Sequence, residues 1–375
     1  MNQNRNKINK LKRLKNSLYS EPIYLSISEL ETNFRSEEFA IESEFQKVKS
    51  TFEYMINYFA QDMPDPQRGK IYSDIRKDLL NITDLLIEYY KSQSIDDMRN
   101  VYTHYNKKVD ILHLIKTIPN NIDNIETLFW QLWMTDKFDS SLNTELLELM
   151  KEKKLRDETK SVLVSAVTLS LFRVFDSNKF ILLFHLYYLN NGESSIRALV
   201  GIVYNLFIHE KRYLLYEELG KYLSDMLDNE EDMQLVELVI LQHIKAQDTE
   251  NIIKEFNEDL LPEMMKIQGD LEDDLSKRLD IEDIASDNMM DDENPGWENY
   301  FDKNPELFEK MEQFTMRQFN GSDVFSATLG NLKNFDFFYK ISNWFLPFSE
   351  NNEEVKQRLY PVLGEELAEK FLQTF

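Results

Sequence analysis

Only nine glycines and nine prolines punctuate this 375-residue chain. Those two residue types make tight turns and end regular elements, so their scarcity limits how often the chain can reverse direction. A sheet protein of this length needs many turns, whereas long helices need few. The expectation is therefore an all-α fold. Apolar spacing agrees. Phe45, Val48, Phe52, Met55, Ile56 and Phe59 recur at three- and four-residue intervals, which puts them on one helical face, and Pro64 and Pro66 close that helix. The next helix is expected over 69–91, with Ile75, Leu79, Ile82, Leu85, Leu86 and Tyr89 turned inward. Shorter helices are expected over 95–116 and 122–134.

The middle of the chain is more regular. Helices are expected over 157–175, 179–189, 194–209, 215–227, 231–246 and 249–261, joined by short polar connectors such as Asp176-Ser177-Asn178 and Asp228-Asn229-Glu230. Short connectors make consecutive helices antiparallel. Alternate helices begin near 157, 194 and 231, a spacing of about 37 residues, which is the range of tandem helical pairs that stack because one pair cannot bury its own apolar face. The expected architecture is an antiparallel helical-pair array, an α-solenoid or tetratricopeptide-like superhelix. An irregular helical bundle is the alternative.

Charge divides the chain. The formal net charge is −24, a field that repels phosphates, so no nucleic-acid partner is expected. The first twenty residues run the other way, with Arg5, Lys7, Lys10, Lys12, Arg13 and Lys15 and no acid. Ile8, Leu11, Leu14 and Leu18 share one face of a helix there. That local pattern suits an anionic membrane surface, a nucleic-acid backbone or an acidic partner, or else a frayed tail contacting its own acidic body. Residues 268–295 are strongly acidic, self-repelling and poor in core-forming side chains, and read as a linker. They lack the central Gly and alternating ligands of an EF-hand loop, so a calcium site is not expected. The expected division is a basic flexible tail at 1–20, a helical array at 21–267, the acidic linker at 268–295 and an aromatic-rich helical block at 296–375. No segment has the apolar length of a signal peptide or a membrane span. There is no cysteine, hence no disulfide or thiolate site, which fits a reducing compartment, and the expected location is the bacterial cytoplasm.

The final block holds seven aromatics within the fourteen positions 335–348. The stretches Asn294-Pro295-Gly296-Trp297-Glu298, Pro305-Glu306-Leu307-Phe308, Gly321-Ser322-Asp323-Val324-Phe325 and Asn343-Trp344-Phe345-Leu346-Pro347-Phe348 resemble the large tetratricopeptide-repeat proteins of Bacteroidetes bacteria. The resemblance covers about sixty residues, and its specific part is the Trp-Phe-Leu-Pro-Phe ending. It implies a helical-repeat scaffold for protein contacts and carries no catalytic residues. No clear tetratricopeptide consensus occurs in this chain itself. Leu363, Leu367, Phe371 and Phe375 keep helical spacing to the last residue without a capping Gly or Asn, which reads either as a piece of a longer protein or as a terminal helix docked on the body.

In the aromatic block, Phe338, Ile341 and Phe345 share one helical face, flanked by Phe337 and Trp344. They form either a docking surface or local core. The expected partner is another protein or peptide, and the expected contact residues are Trp297, Tyr300, Phe301, Trp344 and Phe348. Enzyme signatures are missing. His209-Glu210-Lys211-Arg212-Tyr213 lacks the second histidine of a zinc-hydrolase helix, His185 and His243 read as core residues, and the glycines are too scattered to cradle a phosphate. No metal, cofactor or catalytic residue is expected. An enzyme with an unfamiliar helical site and a membrane-peripheral adaptor using the basic N-terminus are the alternatives to a scaffold.

Overall fold

Among the described residues, most of the helical apolar spacing becomes α-helix. The computed structural model describes residues 2–32, 34, 39–93, 110–120, 124–189, 192–246, 254 and 340–346, and among them there are twelve α-helices and no strand. In chain order these are α1 Asn2–Ser20, α2 Ile23–Glu31, α3 Phe39–Ala60, α4 Arg68–Ser92, α5 Ile111–Thr117, α6 Ile125–Met134, α7 Ser140–Lys151, α8 Asp157–Arg173, α9 Ser177–Leu189, α10 Glu193–Ile208, α11 Glu217–Leu227 and α12 Glu230–Ala246. Short 3-10 turns occupy Ile118–Asn120, Tyr213–Leu215 and Ile341–Phe345. No helix among the described residues is long and apolar enough to cross a membrane.

The chain divides into two compact units, Met1–Val236 with Lys340–Phe375, and Glu237–Tyr339. This differs from the expected division. The linker at 268–295 lies outside the described residues, and the block at 296–375 is split, because residues 341–345 pack on helices of the first unit. In the second unit the described residues are the end of α12, where Leu238, Ile240, Leu241 and Ile244 are exposed, and residue 254.

The first four helices form one core around α4, which packs against α1, α2 and α3. The expected flexible tail at 1–20 is corrected here. It is helix α1, and its Leu11, Leu14 and Leu18 are fully or almost fully buried among Ile27, Leu79 and Leu86. Burying three leucines contributes about 2 kcal/mol each, enough to hold a basic helix down. Its cations add ties, with Lys15 Nζ 2.6 Å from Asp84 and Lys7 Nζ donating to the Tyr90 hydroxyl at 2.6 Å. The expected inward face of α3 is only partly used. Phe45 and Met55 are buried, but Ile56 is 44% and Phe59 55% exposed, since among the described residues α4 is the one helix with which α3 makes extensive contact. The helix ends on Asp62 at φ 53°, a left-handed position more often held by Gly, with Met63 N–H reaching back to the Tyr58 carbonyl at 3.4 Å, before Pro64 prevents continuation.

From α5 onward, helices two apart stack. One row is α6, α8 and α10, and the other is α5, α7, α9 and α11. Helix α7 was not expected from sequence, although Asp139 caps it by accepting from Leu142 N–H at 2.8 Å, and Leu142, Leu146, Leu149 and Met150 line its buried face. Several polar ties between helices join residues 37 or 38 positions apart. Asp157, at the start of α8, accepts the N–H and hydroxyl of Ser194, 37 residues on, and so caps α10. Asp176 accepts Phe138 N–H at 2.7 Å, 38 residues back, and His185 Nε2 meets the Tyr222 hydroxyl at 2.7 Å, 37 residues on. Gly201 lets α8 and α10 approach, because a Cβ there would collide with the Thr168 side chain.

Two buried cations tie these parts together. Arg212, in the turn after α10, is fully buried. It bonds Asn81 Oδ1, lies 3.3 Å from Asp84 and stacks its guanidinium 5.0 Å from the Phe175 ring centroid. Burial would raise the Asp84 carboxyl, but Arg212 and Lys15 outweigh it and hold the group below the usual carboxylate range. Beside them, buried His209 donates Nε2–H to the Leu171 carbonyl at 2.9 Å, and burial pushes it down to about 4, so it is neutral. The second cation is Lys179. It donates to the Thr135 and Asp136 carbonyls, both at 2.7 Å, just past the C-terminal end of α6, and to Ser170 Oγ at 2.9 Å.

Two outcomes follow from this wiring. Arg212→Ala leaves Asp84 buried without its guanidinium and is expected to cost about 3–5 kcal/mol of unfolding free energy in urea titration. Burial lowers Lys179 from 10.5 to about 8. Between those values the unfolded chain binds the extra proton, so this group's contribution to stability rises with pH. Wild type is expected to gain stability relative to Lys179→Met as pH goes from 8 to 10.5, and urea titrations across that range check the slope.

Candidate peptide-binding face

The row α6–α8–α10 carries a segment of the same chain. Helix α6 presents Glu126, Phe129, Trp130 and Trp133 at helical spacing. Phe129 is fully buried, and the Trp130 and Trp133 rings stack at 4.9 Å and 17°. Trp130 Nε1–H donates to Glu126 Oε1 at 2.8 Å, one helical turn away, which fixes that carboxylate. Its other oxygen, Oε2, accepts the backbone N–H of Ser342 at 3.2 Å.

The seated segment is the 3-10 turn Ile341–Phe345, held internally by Asn343 N–H to the Lys340 carbonyl at 3.1 Å and Leu346 N–H to the Asn343 carbonyl at 3.3 Å. It packs on α6 and α8. The Phe345 ring lies 5.4 Å from Phe129, and the Phe345 carbonyl accepts from Arg197 Nη1, which comes from α10. Arg197 also reaches Ser165 on α8 at 3.3 Å and Glu193 at 3.2 Å. Burial lowers the Arg197 guanidinium below its ordinary range, with Glu193 opposing the shift, while burial raises Glu193. Three helices thus read one short segment through its main chain and one aromatic ring.

Of the expected contact residues, Trp344 is in this segment and is 40% exposed. Trp297, Tyr300, Phe301 and Phe348 lie outside the described residues. Ser342 and Asn343 are buried and Ile341 and Phe345 half-buried; the segment is a 3-10 turn rather than the α-helix whose face would join positions 341 and 345, and Phe338 lies outside the described residues. Glu126, Phe129 and Arg197 were not singled out by sequence. Glu126 and Phe129 are one turn apart on α6, but Arg197 and the segment they share are distant in the chain, and no local spacing marks the three as one site.

Two other depressions carry polar groups. A depression of about 330 Å³ is lined by Ile41, Glu44, Leu85, Glu88, Tyr89 and Arg173, among others. Arg173 there is bonded to Glu88 at 3.3 Å, Asp136 at 3.1 Å and the Trp133 carbonyl at 2.8 Å. A second, of about 260 Å³, includes Asp74, Asp78, Asn81, Asp176 and Tyr216; burial raises Asp78 and Asp176. Among the described residues no group of three or more His, Asp or Glu could hold a metal ion. His185 was expected in the core. It is exposed and paired with Tyr222, because α11 reaches it from outside.

Compared with protein-family models, with curated proteins and with solved structures, the chain gives no match.

Removing the Glu126 carboxylate is expected to free the segment first. In Glu126→Ala, the Ser342 amide should exchange with deuterium at least about 10-fold faster, the loss of one charge-assisted hydrogen bond. Amides inside α8 should be unchanged. Site-resolved hydrogen exchange checks both.

Proposed function

We propose that this chain is a non-enzymatic protein–protein interaction scaffold built of helical repeats, working in the bacterial cytoplasm. One observation carries the reading: a three-helix face holds a chain segment by side-chain bonds to main-chain groups. Arg197 binds the Phe345 carbonyl and Glu126 the Ser342 N–H. Main-chain reading by helix-borne side chains suits the capture of short segments, because it places few demands on the ligand's side chains. The stacking of helices two apart, and ties at separations such as 37 and 38 residues, support a solenoid-like array of helical pairs. The resemblance of the Trp-Phe-Leu-Pro-Phe block to tetratricopeptide-repeat proteins supports the same class. The membrane-adaptor reading loses its main argument, since the apolar face of α1 is spent on the protein's own core.

The experiment is capture of partners from a bacterial lysate with the full chain, read by mass spectrometry beside Arg197→Ala and Trp344→Ala. A partner retained by wild type and lost at least about 10-fold with Arg197→Ala, in a variant whose circular dichroism is unchanged, is the expected result. Equal retention by all three removes this face from the scaffold reading.

A further inference from the structure

We infer that the α6–α8–α10 face is a docking site that residues 340–346 fill in cis, and that its ligand in trans is a short uncharged aromatic segment of a partner protein. The inference deepens the scaffold reading and rests on it. The seat is built before the ligand arrives: Trp130 orients Glu126 at 2.8 Å, and Ser165 and Glu193 orient Arg197 at 3.3 and 3.2 Å. Its two charged groups meet main-chain N–H and carbonyl, and the Phe129 ring meets the Phe345 ring. Nothing in it selects a charged side chain, and the residues that occupy it, Ile341-Ser342-Asn343-Trp344-Phe345, carry no charge.

The same chemistry makes the occupant replaceable. An incoming segment with one aromatic ring, and an N–H three residues before it, repeats every contact described for Ser342 and Phe345. The cis segment is returned to the face by its tether, so it acts as a competitor of fixed effective concentration. A partner segment binds only as far as it outcompetes that tether, and the cis contact sets the threshold for engagement.

The test uses a fluorescent peptide of residues 339–348 and the full chain, read by anisotropy. The wild-type chain is expected to bind weakly. Ser342→Pro removes the segment's own N–H to Glu126 and is expected to bind about 10-fold more tightly, because only the cis competitor is weakened. Adding Arg197→Ala to that variant is expected to abolish binding. Equal affinities for wild type and Ser342→Pro, or binding that survives Arg197→Ala, overturn the proposal. So does concentration-dependent dimerisation of Ser342→Pro that blocks the peptide, which would make a second copy the occupant. Should Ser342→Pro unfold, the wild-type chain decides alone: excess unlabelled peptide must accelerate hydrogen exchange at the Ser342 amide, and an unchanged rate overturns the inference. A failed peptide with a partner still captured removes this ligand class and leaves the scaffold. Peptide binding without partner capture does the reverse.

Discussion

Two carboxylates on α4 join the halves of the first unit. Asp84 meets Lys15 from α1 and Arg212 from the turn after α10, and Glu88, one turn further on, meets Arg173 at the end of α8. Arg212 is fully buried and Asp84 nearly so. Charges this far from water are tolerated only when paired, and the pairing demands one geometry. Hydrophobic contact alone would let the four-helix core slide on the helical rows. The ionic contacts set the register, so helix α4 serves as both the centre of the N-terminal core and the socket for the array.

Within the array, polar side chains do the work that a repeat consensus would do. Asp157 caps α10 through Ser194, Asp176 holds the Phe138 amide, and Lys179 closes the carbonyls just beyond α6. Each tie satisfies backbone groups that a helix end leaves open, and each joins elements roughly one helical pair apart. Lys179 illustrates the cost, since burial drives its amine toward neutrality while three acceptors hold it in place.

The face carrying Ile341–Phe345 lies in the row of α6, α8 and α10: Glu126 and Phe129 of α6 and Arg197 of α10 contact the segment, and Ser165 of α8 accepts from Arg197. The sequence drew attention to the aromatic residues of the segment, and Phe345 and Trp344 divide the two readings between them. Phe345 packs on Phe129 and is local core, whereas Trp344 is 40% exposed beside it.

What the sequence by itself determined is local. Few turn formers and apolar residues at three- and four-residue spacing specify helices, and α8 to α12 begin and end within a few residues of expectation, because periodicity and capping are properties of neighbours in the chain. The burial of Leu11, Leu14 and Leu18 was legible as a face, but not the core that receives it. Ile56 and Phe59 fit the same pattern and stand exposed, since a face is buried only where another element covers it. Tertiary structure alone decided the rest. The Arg212–Asn81 bond spans 131 residues and the Arg197–Phe345 bond 148. Contacts of that separation leave no periodic trace, because they depend on which helices stack and at what offset, and that is set by the whole packed core.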